Sequence, residues 1–145
     1  MIDGMLVPGA EDPDAAAFWQ WCAKGELRIQ MCTSCDARRF PPRPMCPACR
    51  SFDHVWTPLS GRGTVWSFVV PHPPLLAAYG DQAPYNVIVV TADEDPAIRF
   101  VGNLVTAADA RLDAIDPASI VIGEPVTVVF DRIDEAVAVP RWTRP

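Results

Sequence analysis

Two C-x-x-C pairs, Cys32-Thr33-Ser34-Cys35 and Cys46-Pro47-Ala48-Cys49, separated by ten residues, constrain this chain more than any other feature. Each pair makes a tight knuckle with both sulfurs on one side, and the spacing is that of a four-thiolate zinc ribbon. A closed shell of four sulfurs leaves no position for water or substrate, so the zinc it predicts is structural. Two disulfides or four unrelated thiols are the competing readings, and iron is the other metal that such sulfurs accept. Five cysteines, an odd number, and an N-terminus without a basic, apolar leader weigh against a disulfide framework. The expected ligands are Cys32, Cys35, Cys46 and Cys49. A site of this kind supplies its module with about 10–16 kcal/mol of folding free energy. Asp36 and Arg50 follow the two pairs where glycine is common; aspartate tolerates the left-handed backbone better than arginine does.

The 145 residues suffice for one domain or two small ones, and half of them are hydrophobic. No apolar run reaches the roughly 20 residues of a membrane span. The expectation is a soluble, cytoplasmic chain with reduced thiols. Net charge is −6, unevenly spread: Lys24 to Arg62 holds seven basic and three acidic residues, the remainder five basic and fifteen acidic. The ribbon is therefore locally cationic on an acidic chain, suited to phosphates of a cofactor such as coenzyme A or of nucleic acid, or simply to solvent.

Three regions follow in order: an arm and helix over 1–25, the ribbon over 26–59 and a β module over 60–145. Asp12-Pro13 reads as a helix start with Asp12 as N-cap, and the helix runs to Ala23 before Gly25. Phe18 and Trp19 are assigned to the core, Trp21 to a partner surface, and Cys22 to a buried apolar role. Glu26 to Met31 alternates as a half-buried strand, Phe40-Pro41-Pro42-Arg43-Pro44 is stiff and presents Arg43, and Val55 to Leu59 closes the ribbon. Ser60-Gly61-Arg62-Gly63 reads as a turn. Strands are expected at Thr64–Val70, Asn86–Thr91, Ala97–Val101, Val126–Ile133 and Val137–Trp142, with a short helix at Ala107–Ile115. Three strands, a helical connection and two more strands is the order of a five-stranded OB-fold barrel, with a sandwich fragment as the alternative. The fold class is thus mainly β: an N-terminal helix, a rubredoxin-like zinc ribbon and an OB-fold.

Catalytic motifs are missing from the sequence. His54 and His72 belong to no metal pair, no G-x-S-x-G elbow occurs, and Gly61-Arg62-Gly63 precedes no helix. The expectation is a chain that is not an enzyme by itself. The long loop from Pro71 to Tyr85, presenting Leu75, Leu76 and Tyr79, is the better candidate for partner or ligand contact.

The tryptophan-bearing helix, "GELRIQMCTSCDARRFPPRPMCPACRS", "LSGRGTVWSF" and the closing "GEPVTVVFDRI" together resemble the DUF35 family of acyl-CoA-associated zinc-ribbon/OB-fold proteins. The likeness runs from about Phe18 onward, and "YNVIVVTADEDPAIRFVGNLV" is similar to the steroid side-chain branch. It implies a non-catalytic, free-standing subunit that binds a thiolase or a thiolase-like aldolase acting on a steroid side-chain acyl-CoA. A coenzyme A thioester is the implied ligand of the complex, and the four cysteines carry over as zinc ligands. Trp21, Arg43, Leu75, Leu76 and Tyr79 are the candidate partner or acyl-CoA contacts. The rival class is a single-stranded nucleic-acid-binding ribbon/OB protein, which the acidic total disfavours.

Overall fold

The structure, a computed structural model, describes residues 4–145. The Asp12 carboxylate accepts the Asp14 N–H at 3.0 Å, and its carbonyl accepts the Ala16 N–H at 2.8 Å. Asp12 therefore starts a turn, and the helix α1 (Ala16–Ala23) begins later than its sequence suggests, with Ala15 at the N-cap. Gly25, at φ 77°, ends it by the left-handed stop that glycine permits. The Arg132 guanidinium donates to the freed Ala23 carbonyl. Phe18, Cys22 and Ala23 form its buried face, and burial pushes the Cys22 thiol up to about 12, so that this cysteine is an inert apolar group.

The ribbon is a three-stranded antiparallel sheet with β1 (Arg28–Cys32) between β2 (Arg38–Arg39) and β3 (His54–Pro58). Leu27 and Ile29 are buried, as alternation implies, but Gln30 on the opposite face is buried too. Its side-chain oxygen accepts the Arg39 Nε–H and the Arg43 N–H, each at 2.8 Å, and so pins the Pro-rich loop.

The second sheet contains β4 (Arg62–Val69), β5 (Val87–Ala92), β6 (Asp95–Gly102), β7 (Pro125–Arg132) and β8 (Ala138–Thr143) in the order β6-β5-β4-β7-β8. Only Gly61, at φ 77°, serves the expected turn at 60–63; Arg62 and Gly63 already belong to β4. A Cβ on Gly63 would lie 2.4 Å from the Thr91 carbonyl oxygen, so the residue is required by close strand approach. No α-helix forms at Ala107–Ile115; short 3-10 turns occupy Leu112–Ala114 and Pro117–Ser119. Tertiary partners outcompete the helix there. Gln82 accepts the Leu112 N–H at 2.8 Å, and Arg111 clasps Asp113 at 2.8–2.9 Å.

The curled sheet is a half-barrel whose edges meet at one parallel bridge, Leu104 to Trp142. The Val105 N–H donates to the Trp142 carbonyl at 2.8 Å, and the Trp142 N–H to the Asn103 carbonyl at 3.0 Å. Buried Asn86, just before β5, clamps the Leu104 backbone through both ends of its amide at 2.7–2.9 Å. Aromatic rings join the modules: Phe18 to Phe40 at 5.1 Å, Phe40 to Phe100 at 4.5 Å and Phe100 to Trp142 at 6.0 Å between centroids. The β5–β6 turn reaches back to the ribbon, where Glu94 accepts the Ser60 N–H and the Arg38 guanidinium.

Candidate metal centre and the seam cavity

Both knuckles are closed by backbone bonds. The Asp36 N–H donates to the Cys32 carbonyl at 3.0 Å and the Arg50 N–H to the Cys46 carbonyl at 2.9 Å. Asp36 and Arg50 take the left-handed conformation, at φ 60° and 66°, which is the backbone that the glycine-preferring positions demand. The sulfurs of Cys32, Cys35, Cys46 and Cys49 all lie within 4.8 Å of one another, with 3.5 Å between Cys32 and Cys49 and 3.7 Å between Cys35 and Cys46. A tetrahedron with Zn–S bonds of about 2.3 Å has edges of about 3.8 Å, so the donor set fits that ion.

Electrostatics gives the same result. Backbone N–H groups, first that of Cys49 and, against burial, that of Ala48, hold the Cys46 thiol down to about 6. The Ala37 N–H draws Cys35 down, but the Cys49 thiol, burial and the other two sulfurs outweigh it and push Cys35 up to about 12. Four thiolates this close are mutually repulsive, and a bound cation removes that conflict. In the same ribbon Arg39, opposite Gln30 in the β1–β2 pair, is only 4% exposed. Its Nε–H is bonded to Gln30 and Arg43, while its two terminal nitrogens have no hydrogen-bond partner among the described residues.

The five expected contact residues are not gathered in one place. Trp21 is half-buried, with the Arg28 guanidinium 3.9 Å and the Lys24 amine 4.5 Å from its ring centroid. Arg43 is exposed on the ribbon loop, Leu76 is exposed, and Leu75 is half-buried. Tyr79, on the short helix α2 (Ala77–Gly80) within the long loop, borders a cavity whose lining includes none of the other four. His72 is exposed, and His54 lies 3.3 Å from the Gln30 amide.

That cavity, of about 550 Å³, lies between the sheet edges β6 and β8. Phe18, Trp19, Phe40 and Tyr85 wall it, and Arg99 stands at β6. Asp131 and Arg141 form a 2.8 Å ion pair in its wall with side chains 3% and 8% exposed, and Arg141 also donates to the Ala110 carbonyl. Sequence reading missed these two residues, although a charged residue inside each of two apolar strands was the available signal.

A cysteine-clustered ribbon joined to a curled five-stranded sheet defines a zinc-ribbon/OB-fold protein. The rubredoxin-like zinc ribbon domain of ChsH2 matches residues 19–55, and the C-terminal OB-fold domain of ChsH2 matches residues 56–131. The chain belongs to the ChsH2-type DUF35 family. It is 38% identical over 125 residues to a probable enoyl-CoA hydratase alpha subunit of Thermomonospora curvata, covering 86% of this chain and 35% of that protein. It is 34% identical over 128 residues to the 3-oxo-4,17-pregnadiene-20-carboxyl-CoA hydratase alpha subunit of Mycobacterium tuberculosis, covering 88% and 37%. The chain thus spans little more than a third of the length of these two relatives. A DUF35 domain-containing scaffold protein of Methanocaldococcus jannaschii is 33% identical over 107 residues, covering 72% of this chain and 67% of the relative. Among solved structures, a chain of the Ltp2-ChsH2(DUF35) aldolase superposes with a TM-score of 0.79 at 33% identity, covering 94% of this chain and 98% of that one. Among the described residues no helix is long and apolar enough to cross a membrane.

Proposed function

We propose that this chain is a non-catalytic accessory subunit that binds a thiolase-superfamily enzyme, an aldolase acting on a steroid side-chain acyl-CoA, and supports its acyl-CoA site. The observation that carries this reading is the near end-to-end likeness to the DUF35 chain of an aldolase. The substrate for which the mycobacterial relative is named, a pregnadiene carboxyl-CoA, supports the steroid branch. Cys32, Cys35, Cys46 and Cys49 would hold zinc, which cross-links the ribbon and offers no open coordination position for chemistry. Trp21, Arg43, Leu75, Leu76 and Tyr79 remain the proposed partner or acyl-CoA contacts, spread over the ribbon side and the long loop. A net charge of −6 argues against nucleic acid as the partner.

Co-expression with a thiolase-like aldolase from the same host should give a co-eluting complex with about one zinc per copy of this chain. Aldol cleavage should require both chains. Thioester turnover by the isolated subunit, or an aldolase that is fully active and does not co-elute, would overturn the proposal.

A further inference from the structure

We infer that the seam between β6 and β8 is a binding site for a small, uncharged apolar molecule, and that residues 4–7 are a displaceable strap across it. The site exists because the half-barrel is joined at one rung only, Leu104 to Trp142. Beyond that rung no ladder pairs β6 with β8 among the described residues, and residues of both strands line the space between them. About 550 Å³ remains, which is within the range of small-molecule pockets.

The wall chemistry selects the class of guest. Aromatic rings from three separate elements, Trp19, Phe40 and Tyr85, face the space and favour a flat or ring-shaped apolar body. Asp131 and Arg141 neutralise each other at 2.8 Å. Arg99 is the one remaining cation among the described lining residues, and its guanidinium is stacked 3.9 Å from the Trp66 ring centroid. A polyphosphate would find no cluster of positive charge here. This inference therefore does not need the acyl-CoA reading above, although Tyr79 serves in both.

The strap is Gly4-Met5-Leu6-Val7. Met5 and Leu6 border the cavity, yet the segment pairs with neither edge strand. Among the described residues its hydrogen bonds to the rest of the fold are the Leu6 N–H to the Tyr79 hydroxyl at 3.2 Å and a 3.8 Å contact from the Gln82 amide to the Met5 sulfur. Leu6 is 74% exposed and Val7 53% exposed, so two apolar side chains face solvent beside an apolar cavity. So few tethers make a segment that opens locally at little cost. Gly9, where an added Cβ would meet nothing within 4 Å, provides a pivot before the Asp12 turn.

The test uses the full chain and N-phenyl-1-naphthylamine, an uncharged fluorophore, read by its own fluorescence and by energy transfer from the chain's five tryptophans, of which Trp19 lines the cavity. Tyr79→Phe removes the latch hydroxyl, and Met5→Ser weakens cover over the cavity. Each should tighten probe binding several-fold with an unchanged melting temperature. Val139→Trp, which fills the space from β8, should abolish that gain; circular dichroism confirms that it folds. Unchanged affinity in both strap variants would overturn the inference. So would a gain that survives in a folded filled variant, since the probe would then sit elsewhere. Aldolase co-elution, measured separately, reports on the accessory role and not on the seam.

Discussion

A methyl group on Gly63 would sit 2.4 Å from the Thr91 carbonyl oxygen and 2.6 Å from a Val90 methyl, with backbone on one side that has no rotamer to yield. Gly63→Ala should therefore cost at least about 1–3 kcal/mol, the usual penalty of overpacking, read as a lower urea midpoint. Gly80→Ala, where nothing lies within 4 Å, is the matched control and should leave the midpoint unmoved or slightly raised. The sequence presents these two glycines alike. What separates them is a neighbouring strand that lies 28 positions further along the chain. The cysteines are the opposite case: a metal knuckle is a local object, so spacing alone carries the cluster that the structure assembles. The Gln30–Arg39 bond lies between these cases, because it needs the β1–β2 register before it has any meaning.

Strands were legible where periodicity and turn residues agree, and all five of the second sheet fall within two residues of their expected ends. The helix expected at Ala107–Ile115 fails because helical propensity is a weak preference that Gln82 and Arg111 override. Across β7 and β8, the Asp131–Arg141 pair invites a paired substitution. Asp131→Ala should destabilise by about 3–5 kcal/mol, because it strands a buried guanidinium, whereas replacing both residues with apolar ones should cost far less. Denaturant midpoints for the single and double variants check this. At the β5–β6 turn, partial burial raises the Glu94 pKa, but the Ser60 hydroxyl and N–H, with Arg38, outweigh it and hold the carboxyl below its ordinary value. A depressed carboxylate stabilises the fold above its unfolded pKa and loses that effect as pH falls. Glu94→Gln should therefore melt slightly lower than the parent at pH 7, and the two curves should converge below about pH 4.

The whole molecule is held together by its ring chain. Phe40 sits in the loop between the knuckles, yet it contacts Phe18 of the helix and Phe100 of the barrel. Phe40→Ala should cost about 3–5 kcal/mol and split one cooperative melt into two, with the ribbon followed by metal release and the sheet by amide hydrogen exchange of its strands. A single transition at the parental temperature would show that Phe40 does not carry the coupling between the modules. None of this was legible beforehand: the seam cavity is bounded by strands that meet only after the sheet curls, and no local pattern marks a gap. The lone rung at Leu104 and Trp142 has one more consequence. A cylinder stitched all round admits visitors only through its ends, by threading. Here the wall has a lengthwise slit that stops at a pair of main-chain bonds, so the small guest proposed for the seam would enter sideways and leave the paired strands intact.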